Sequence, residues 1–383
     1  MITKKDVNAV SLVRITQARK TMGFSLSEAA NLLGFNNYQT LSAIEKGARN
    51  INAHELSNMA KIYGRDLIYF FQHDISNDPK PLWRKSTDAI DKKIEREFLH
   101  FLENYSNLEH LLGLRRKWNS IQRNLDRSDF AGGGFKLAGE LANDIWNQLD
   151  LGSRPAFNLL NVLENDLRFK ILHLQLENGI SGASVCDDAL GVGILINAKE
   201  APWRRNFDLA HELFHIVTWH SFTHDEVGDG RIDTKPEQYA NEFASSLLLP
   251  KQHFTSAVEE KVNDARIKIV DIIELAKDFG VSTQAVLWRL VNLGICKKTA
   301  VDEALDEPEF QRMNKQMRYG LYSKELPSKF PSRYISLACR CLIEGRISRG
   351  TFAIYLEIDR SDVDNYLKRH GFIEENYEKI AFD

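Results

Sequence analysis

The sequence predicts a multidomain, mainly α-helical protein with a small mixed sheet. It reads as an all-α amino-terminal domain, a central α+β domain and a small carboxy-terminal helical domain. Three observations lead there. Short apolar-periodic segments punctuated by glycines fill the first 76 residues, strand-like runs are confined to 169–197, and helical periodicity resumes after 200. A chain of 383 residues is too long for one ordinary core. Its 43% hydrophobic and 27% charged content is plain globular composition. A net charge of −3 argues against a nucleic-acid coat or a membrane-surface protein.

Val10 to Gly23 reads as one helix, with Leu12, Ile15, Ala18 and Met22 on one face. Ser25 and Glu28 are spaced as a capping box for a second helix that Gly34 ends. Asn36 or Asn37 caps a third, Tyr38–Glu45, closed by Gly47, and Leu56, Met59, Ala60 and Ile62 mark a fourth. Short helix, glycine turn, short helix is the helix-turn-helix arrangement. Amides and hydroxyls at the start of the third helix suit base edges in a major groove, so Asn37, Tyr38, Gln39, Thr40 and Ala43 are the candidate readers. Lys46, Arg49, Arg19 and Lys20 are the candidate phosphate contacts. Lysines and arginines in this segment outnumber its acidic residues by three, which predicts modest, salt-sensitive nonspecific affinity. The competing assignment is a helical protein-interaction module. Ala29-Ala30…Leu33-Gly34 and Leu41-Ser42-Ala43-Ile44-Glu45-Lys46-Gly47 resemble the lambda-repressor-like (XRE) helix-turn-helix family. That resemblance implies a double-stranded DNA operator as partner.

Asn77-Asp78-Pro79-Lys80-Pro81 closes this first domain, 1–76. A helical linker, 77–132, follows. Ile90, Ile94, Phe98, Phe101, Tyr105, Leu108 and Leu112 form a heptad seam that either pairs two chains into a homodimer or docks on the body of the protein; docking is favoured. Ala131-Gly132-Gly133-Gly134 reads as a hinge into the central domain, 133–300. There a helix spans Lys136 to Leu149, and Phe169–Leu176, Val185 and Val192–Asn197 are strand-like.

The most informative residues come next. His211-Glu212-Leu213-Phe214-His215 lies in an otherwise apolar helical stretch, Phe207–Val217. Residues four apart on a helix share a face, so both imidazoles can reach one Zn²⁺, with Glu212 beside them to take a proton from water. Burying this polar set without a partner such as a metal would be costly. A catalytic zinc takes three protein ligands. Glu237, opening a second amphipathic helix that Pro250 stops, ranks first as the third ligand, ahead of His224 and then Glu242. Glu242 lies about 140° round that helix from Glu237. With Glu237 the site would be of gluzincin type. His220 fits no metzincin spacing. Tyr239, His220 and His224 are candidate oxyanion stabilisers.

Several blocks occur in order around this motif: Ile180-Ser181-Gly182-Ala183-Ser184-Val185, Val192–Asn197, Arg204–His215, Glu237–Ala244 running into Leu247-Leu248-Leu249-Pro250, and Leu275–Ser282 followed by Arg289–Gly294. Together they resemble an ImmA/IrrE-type metallopeptidase domain. The resemblance implies zinc held by His211, His215 and Glu237, with Glu212 as catalytic base; another divalent metal is open. It also implies cleavage of a transcriptional repressor.

From 301 to 383 the chain reads as a third, helical unit, either a degenerate helix-turn-helix or a partner-binding bundle. No apolar run approaches the ~20 residues that span a bilayer. There is no apolar signal core at the N-terminus, and Cys186, Cys296, Cys339 and Cys341 are scattered, which fits free thiols in a cytoplasm. Two functions are compatible with these features. One is a DNA-binding regulatory zinc endopeptidase acting on a repressor or partner in a stress, phage or toxin–antitoxin circuit. The other is a DNA-binding repressor or antitoxin that uses the peptidase fold as a non-proteolytic scaffold for a toxin or similar partner.

Overall fold

The computed structural model describes residues 11–22, 24–63, 65, 67–71, 81–83, 92–114, 121–177, 180–222, 234–262, 267–319 and 326–372. The amino-terminal helices begin where the capping chemistry puts them. α1 (Leu12–Thr21) is capped by Ser11, α2 (Leu26–Leu32) by the Ser25–Glu28 box, α3 (Tyr38–Glu45) by Asn37, and α4 (Ala53–Ile62) by a second box of Asn52 and Glu55. Each box satisfies two amides that a helix start would otherwise leave open. Gly34 and Gly47 turn the chain with φ of 76° and 72°. The four helices close over Ile15, Ala18, Ala30, Leu41, Ile44, Met59 and Tyr63.

The central sheet has the strand order β1-β3-β4-β2, formed by β1 (Leu82–Trp83), β2 (Lys170–Leu174), β3 (Gly182–Asp187) and β4 (Gly191–Asn197). β2 and β4 run parallel, whereas β1–β3 and β3–β4 are antiparallel. β1 has no forerunner in the sequence reading; two residues carry no detectable period. Alternation then sorts the strands' side chains. Ile171, Val192, Ile194 and Ile196 face one core, and Leu172, Leu174, Ala183, Val185 and Leu195 face another.

The first core is covered by α6 (Gly134–Gln148), α7 (Pro155–Asn161), α8 (Pro202–Val217), α9 (Lys235–Leu248), α10 (Lys251–Glu259), α11 (Ile269–Asp278) and α12 (Thr283–Asn292). α13 (Lys298–Asp306) and α14 (Pro308–Tyr319) join it through Val301 and Phe310. α13 and α14 thus share the first core with the helices before them. The second core holds α5 (Lys92–Leu111) against α15 (Ser332–Ile343), α16 (Arg349–Leu356) and α17 (Val363–Arg369). The linker helix and the carboxy-terminal helices thus form one layer on the sheet's other face. The predicted class, mainly α with a small mixed sheet, is borne out. No helix among the described residues is long and apolar enough to cross a membrane.

The heptad seam is occupied inside the chain. Phe98, Phe101, Leu102, Tyr105 and Leu108 are buried against the sheet and α15. Ile90 lies outside the described residues, as do Asn77 to Lys80. Gly193 permits the close approach, since a Cβ there would stand 2.6 Å from a Leu102 methyl carbon. Within the glycine run, Gly134 is a packing position: a Cβ there would lie 2.3 Å from the Tyr239 ring, whereas Gly132 turns the chain with φ of 78°.

Buried charges join α5 to its neighbours. Lys170 on β2 donates to Ser106 Oγ (2.6 Å) and the Leu190 carbonyl and pairs with Glu109 (3.2 Å), which also takes Arg333 of α15 at 2.6 Å. On the amino-terminal side, buried Arg65 pairs with Glu103 and donates to Asn104 Oδ1 (3.2 Å) and His100 Nδ1 (2.9 Å). Burial, with the Arg65 charge added, lowers the His100 pKa to about 3 and keeps this acceptor unprotonated. Removing one partner of a buried pair strands the other. Arg65→Met should lower stability in urea unfolding by about 3–5 kcal/mol, and Arg65→Met with Glu103→Leu should recover most of that. Equal losses in the single and double variants would show that the pair does not hold α5 in place.

Candidate metal centre

α8 begins with Pro202 at its first position, where the missing amide costs nothing, and runs without interruption to Val217. Leu209, Ala210, Leu213, Phe214, Ile216 and Val217 pack into the first core. The same burial encloses His211, Glu212 and His215, at 0%, 1% and 3% exposure. α9 also opens with a proline, Pro236, and carries Glu237 in its first turn, 5% exposed. The ring centroids of Phe214 and Phe243, 5.6 Å apart, press the two helices together.

The helix contact brings three ligand atoms together. His211 Nε2 lies 3.1 Å from Glu237 Oε2, His215 Nε2 lies 3.2 Å from Glu237 Oε1, and the two Nε2 atoms are 3.2 Å apart. One ligand atom from each residue falls within 4.8 Å of the others, the one such group among the described residues. On its far side, His211 Nδ1 is 3.0 Å from Asn241 Oδ1. An amide oxygen only accepts, so Nδ1 carries the proton and Nε2 turns a lone pair inward. Lone pairs facing a carboxylate at 3 Å repel unless a cation lies among them, so this donor set fits a divalent metal. Burial alone would raise the Glu237 pKa. With no ion among the donors, protonated imidazoles of His211 and His215 outweigh it and hold the carboxyl below the usual carboxylate range; a bound cation takes over that role and leaves the imidazoles neutral.

The other sequence candidates stand elsewhere. Glu242 turns from the cluster to Arg289 (3.5 Å), Ser246 Oγ (2.9 Å) and Asn292 (2.8 Å); burial raises its pKa, against the pull of Ser246 and Arg289. His224 lies outside the described residues. His220 is exposed just beyond α8. Tyr239 is about 200° round α9 from Glu237. Its ring stacks on Phe130 and meets Phe135 edge-on, which makes it a packing residue.

Two neighbours of Glu212 and His211 have no role assigned from the sequence. Asn241 sits one turn after Glu237, a spacing that points both at α8. Gly182 opens β3 beside the proposed base. A Cβ there would stand 3.3 Å from Glu212 Oε1 and 2.8 Å from the Leu195 carbonyl. The start of β3 is fixed by the buried Asn197 side chain, which donates to the Ile180 carbonyl (2.9 Å) and accepts from Leu176 N (3.1 Å) and Lys199 N (3.0 Å).

In the amino-terminal domain, Asn37, Tyr38, Gln39, Lys46 and Arg49 are exposed, while Thr40 and Ala43 are half-buried. The Asn37 carbonyl oxygen already accepts from Thr40 N at 3.0 Å and Thr40 Oγ1 at 3.1 Å, so Gln39 and Tyr38 present the freer edges. Arg49 pairs with Glu55 at 2.7 Å. Arg19 is not a phosphate contact: it is 8% exposed and gives Glu45 two bonds, of 2.7 and 2.9 Å, that tie α1 to the end of α3.

Gly182→Ala tests the fit of β3 against α8. The added methyl must move the Leu195 carbonyl or Glu212, and thermal unfolding should show a loss of about 1–3 kcal/mol. An unchanged transition would mean that β3 stands farther from the helix.

Residues 166–291, from the approach to β2 through α12, match the family model described as the IrrE N-terminal-like domain, and residues 15–70 match a helix-turn-helix model. No curated protein matches the chain. The chain therefore joins an amino-terminal helix-turn-helix domain to an IrrE N-terminal-like domain of metallopeptidase type.

Proposed function

We propose that the protein is a DNA-binding regulatory metalloendopeptidase, with His211, His215 and Glu237 as the metal ligands and Glu212 as the general base. The observation that carries this reading is the inward convergence of two imidazole nitrogens and a carboxylate in a buried space, with Asn241 fixing the His211 tautomer. Zinc suits two nitrogens and one oxygen, and a divalent ion held there supplies Lewis acidity toward a peptide carbonyl. Glu212 takes the proton of the attacking water and returns it to the leaving amine. Its neighbours support that role: one helix carries both Glu212 and two of the ligands, and Gly182 lets β3 lie against the Glu212 carboxylate. Asn241 holds His211 so that its free nitrogen faces the ion.

The helix-turn-helix domain brings this centre to DNA-bound partners. Gln39 and Tyr38 at the start of α3 read bases in an operator, with Asn37, Thr40 and Ala43 lining the approach and Lys46 and Arg49 at phosphates. The substrate on this reading is a repressor or other partner protein bound nearby.

Elemental analysis of the purified chain should find about one zinc, which His215→Ala loses. Glu212→Gln should keep the metal and lose cleavage of a co-expressed repressor, a drop on the order of 10²–10⁴. Cleavage undiminished in Glu212→Gln would remove the base assignment and favour a non-proteolytic scaffold. For the DNA surface, Gln39→Ala with Thr40→Ala should weaken operator binding in a gel-shift titration by about tenfold or more. Full affinity in that variant would exclude α3 as the reader.

A further inference from the structure

The ligand-bearing face of α8 continues past the histidines. Trp203, Phe207, His211 and His215 step by four, a single stripe along the helix. Beside the amino-terminal half of that stripe, between α8, α9 and α12, lies a solvent-open groove of about 1210 Å³. Trp203 and Phe207 form one wall and Trp288 of α12 contributes to the other; Gln238 and Asn241 of α9 and Ser181 line it as well.

Two residues border both the groove and the surroundings of the metal centre. Asn241 lines it and holds His211 Nδ1 at 3.0 Å. Ser181 lines it and precedes Gly182, which abuts Glu212. The volume exceeds the ~300–1,000 Å³ of small-ligand pockets, and the groove is open to solvent, as a polypeptide requires. The chemistry points the same way. Side-chain amides are suited to main-chain N–H and C=O groups, and indole and phenyl walls are suited to a large apolar side chain. Of the charged residues on the walls, Arg204 and Glu242 already face Asp208 and Arg289.

We propose that this groove is a subsite for one large apolar side chain of a polypeptide substrate next to the bond to be cleaved, with Trp288 setting its size. The inference rests on the metallopeptidase reading above. It is tested by calorimetric titration of the zinc-loaded full chain with three probes. These are acetohydroxamic acid and two peptide hydroxamates that differ only in a benzyl or a methyl side chain beside the metal-binding group. The benzyl compound should bind about tenfold or more tighter than the methyl one. Trp288→Ala opens the groove and Ala285→Trp fills it from the same helix; each should reduce the ratio to about twofold or less. Ala285→Trp removes no packed ring, so it gives the answer even if the loss of Trp288 loosens α12. A ratio near one in the unsubstituted chain, or one that survives both variants, overturns the subsite. Failure of acetohydroxamic acid to bind would instead overturn the metal-site reading, and is told apart by its indifference to side-chain size.

Discussion

The packing of α8 on α9 is the constraint on which the centre depends. It holds two imidazole nitrogens and two carboxylate oxygens about 3 Å apart in a space that solvent barely reaches. Those atoms have no reason of their own to gather; each would keep more hydration apart. Apolar contacts oppose that tendency. Leu213, Phe214, Ala240, Phe243 and Ala244 are all fully buried, and each large side chain contributes about 1.5–3 kcal/mol. α6 backs α9 from the far side, where Gly134 lets the Tyr239 ring lie against the main chain. The resulting energetic tension is local, and a cation among the donors relieves it.

Glu237 and Glu242 show how environment assigns roles to one residue type on one helix. Desolvation acts first on both and pushes both pKa values up. For Glu237 positive charge in the cluster, carried by the imidazoles or by a bound cation, overcomes it and the carboxyl stays ionised. For Glu242 the hydroxyl of Ser246 and the charge of Arg289 fall short of it. The difference follows from helix geometry, since about 140° of rotation turns one carboxylate to α8 and the other to α12. Arg289 in turn donates to the Leu249 carbonyl (3.1 Å) and Ser246 Oγ (2.7 Å), so the second carboxylate joins an ordered seam between α9 and α12. Ligand chemistry and helix docking therefore share α9 without competing.

What was legible in the sequence was whatever repeats or caps locally. The Ser25–Glu28 box, the glycine stops at 34 and 47, the β4 run and the four-residue step between His211 and His215 all carry their partner within one or two turns. Glu237 was legible as a candidate because it opens an amphipathic helix; what separates it from Glu242 is the helix that each faces. Distant partners left no such trace. Arg19 looks like any surface arginine until Glu45 folds against it, 26 residues later. β1 is two residues long and exists because β3 offers an edge. The union of α5 with α15–α17 spans over 220 residues of sequence, and nothing periodic in either segment names the other.

α5 shows why buried charge accompanies that union. An apolar seam stepping by three and four is nearly unchanged when slid by a full heptad, so hydrophobic burial fixes the face of the helix better than its register. Charges do not slide so cheaply. A shift would take Glu109 from Lys170 and Arg333 at once, and Glu103 from Arg65, leaving each without its counter-charge in a low dielectric. Such pairs add little net stability compared with apolar substitutes, yet they penalise every alternative placement. They lie at all three contacts of the helix: Arg65 comes from the amino-terminal domain, Lys170 from the sheet and Arg333 from the carboxy-terminal layer. One helix thereby holds three parts of the chain in a single register, and the sheet that it fixes carries β3, the strand against which Glu212 is set.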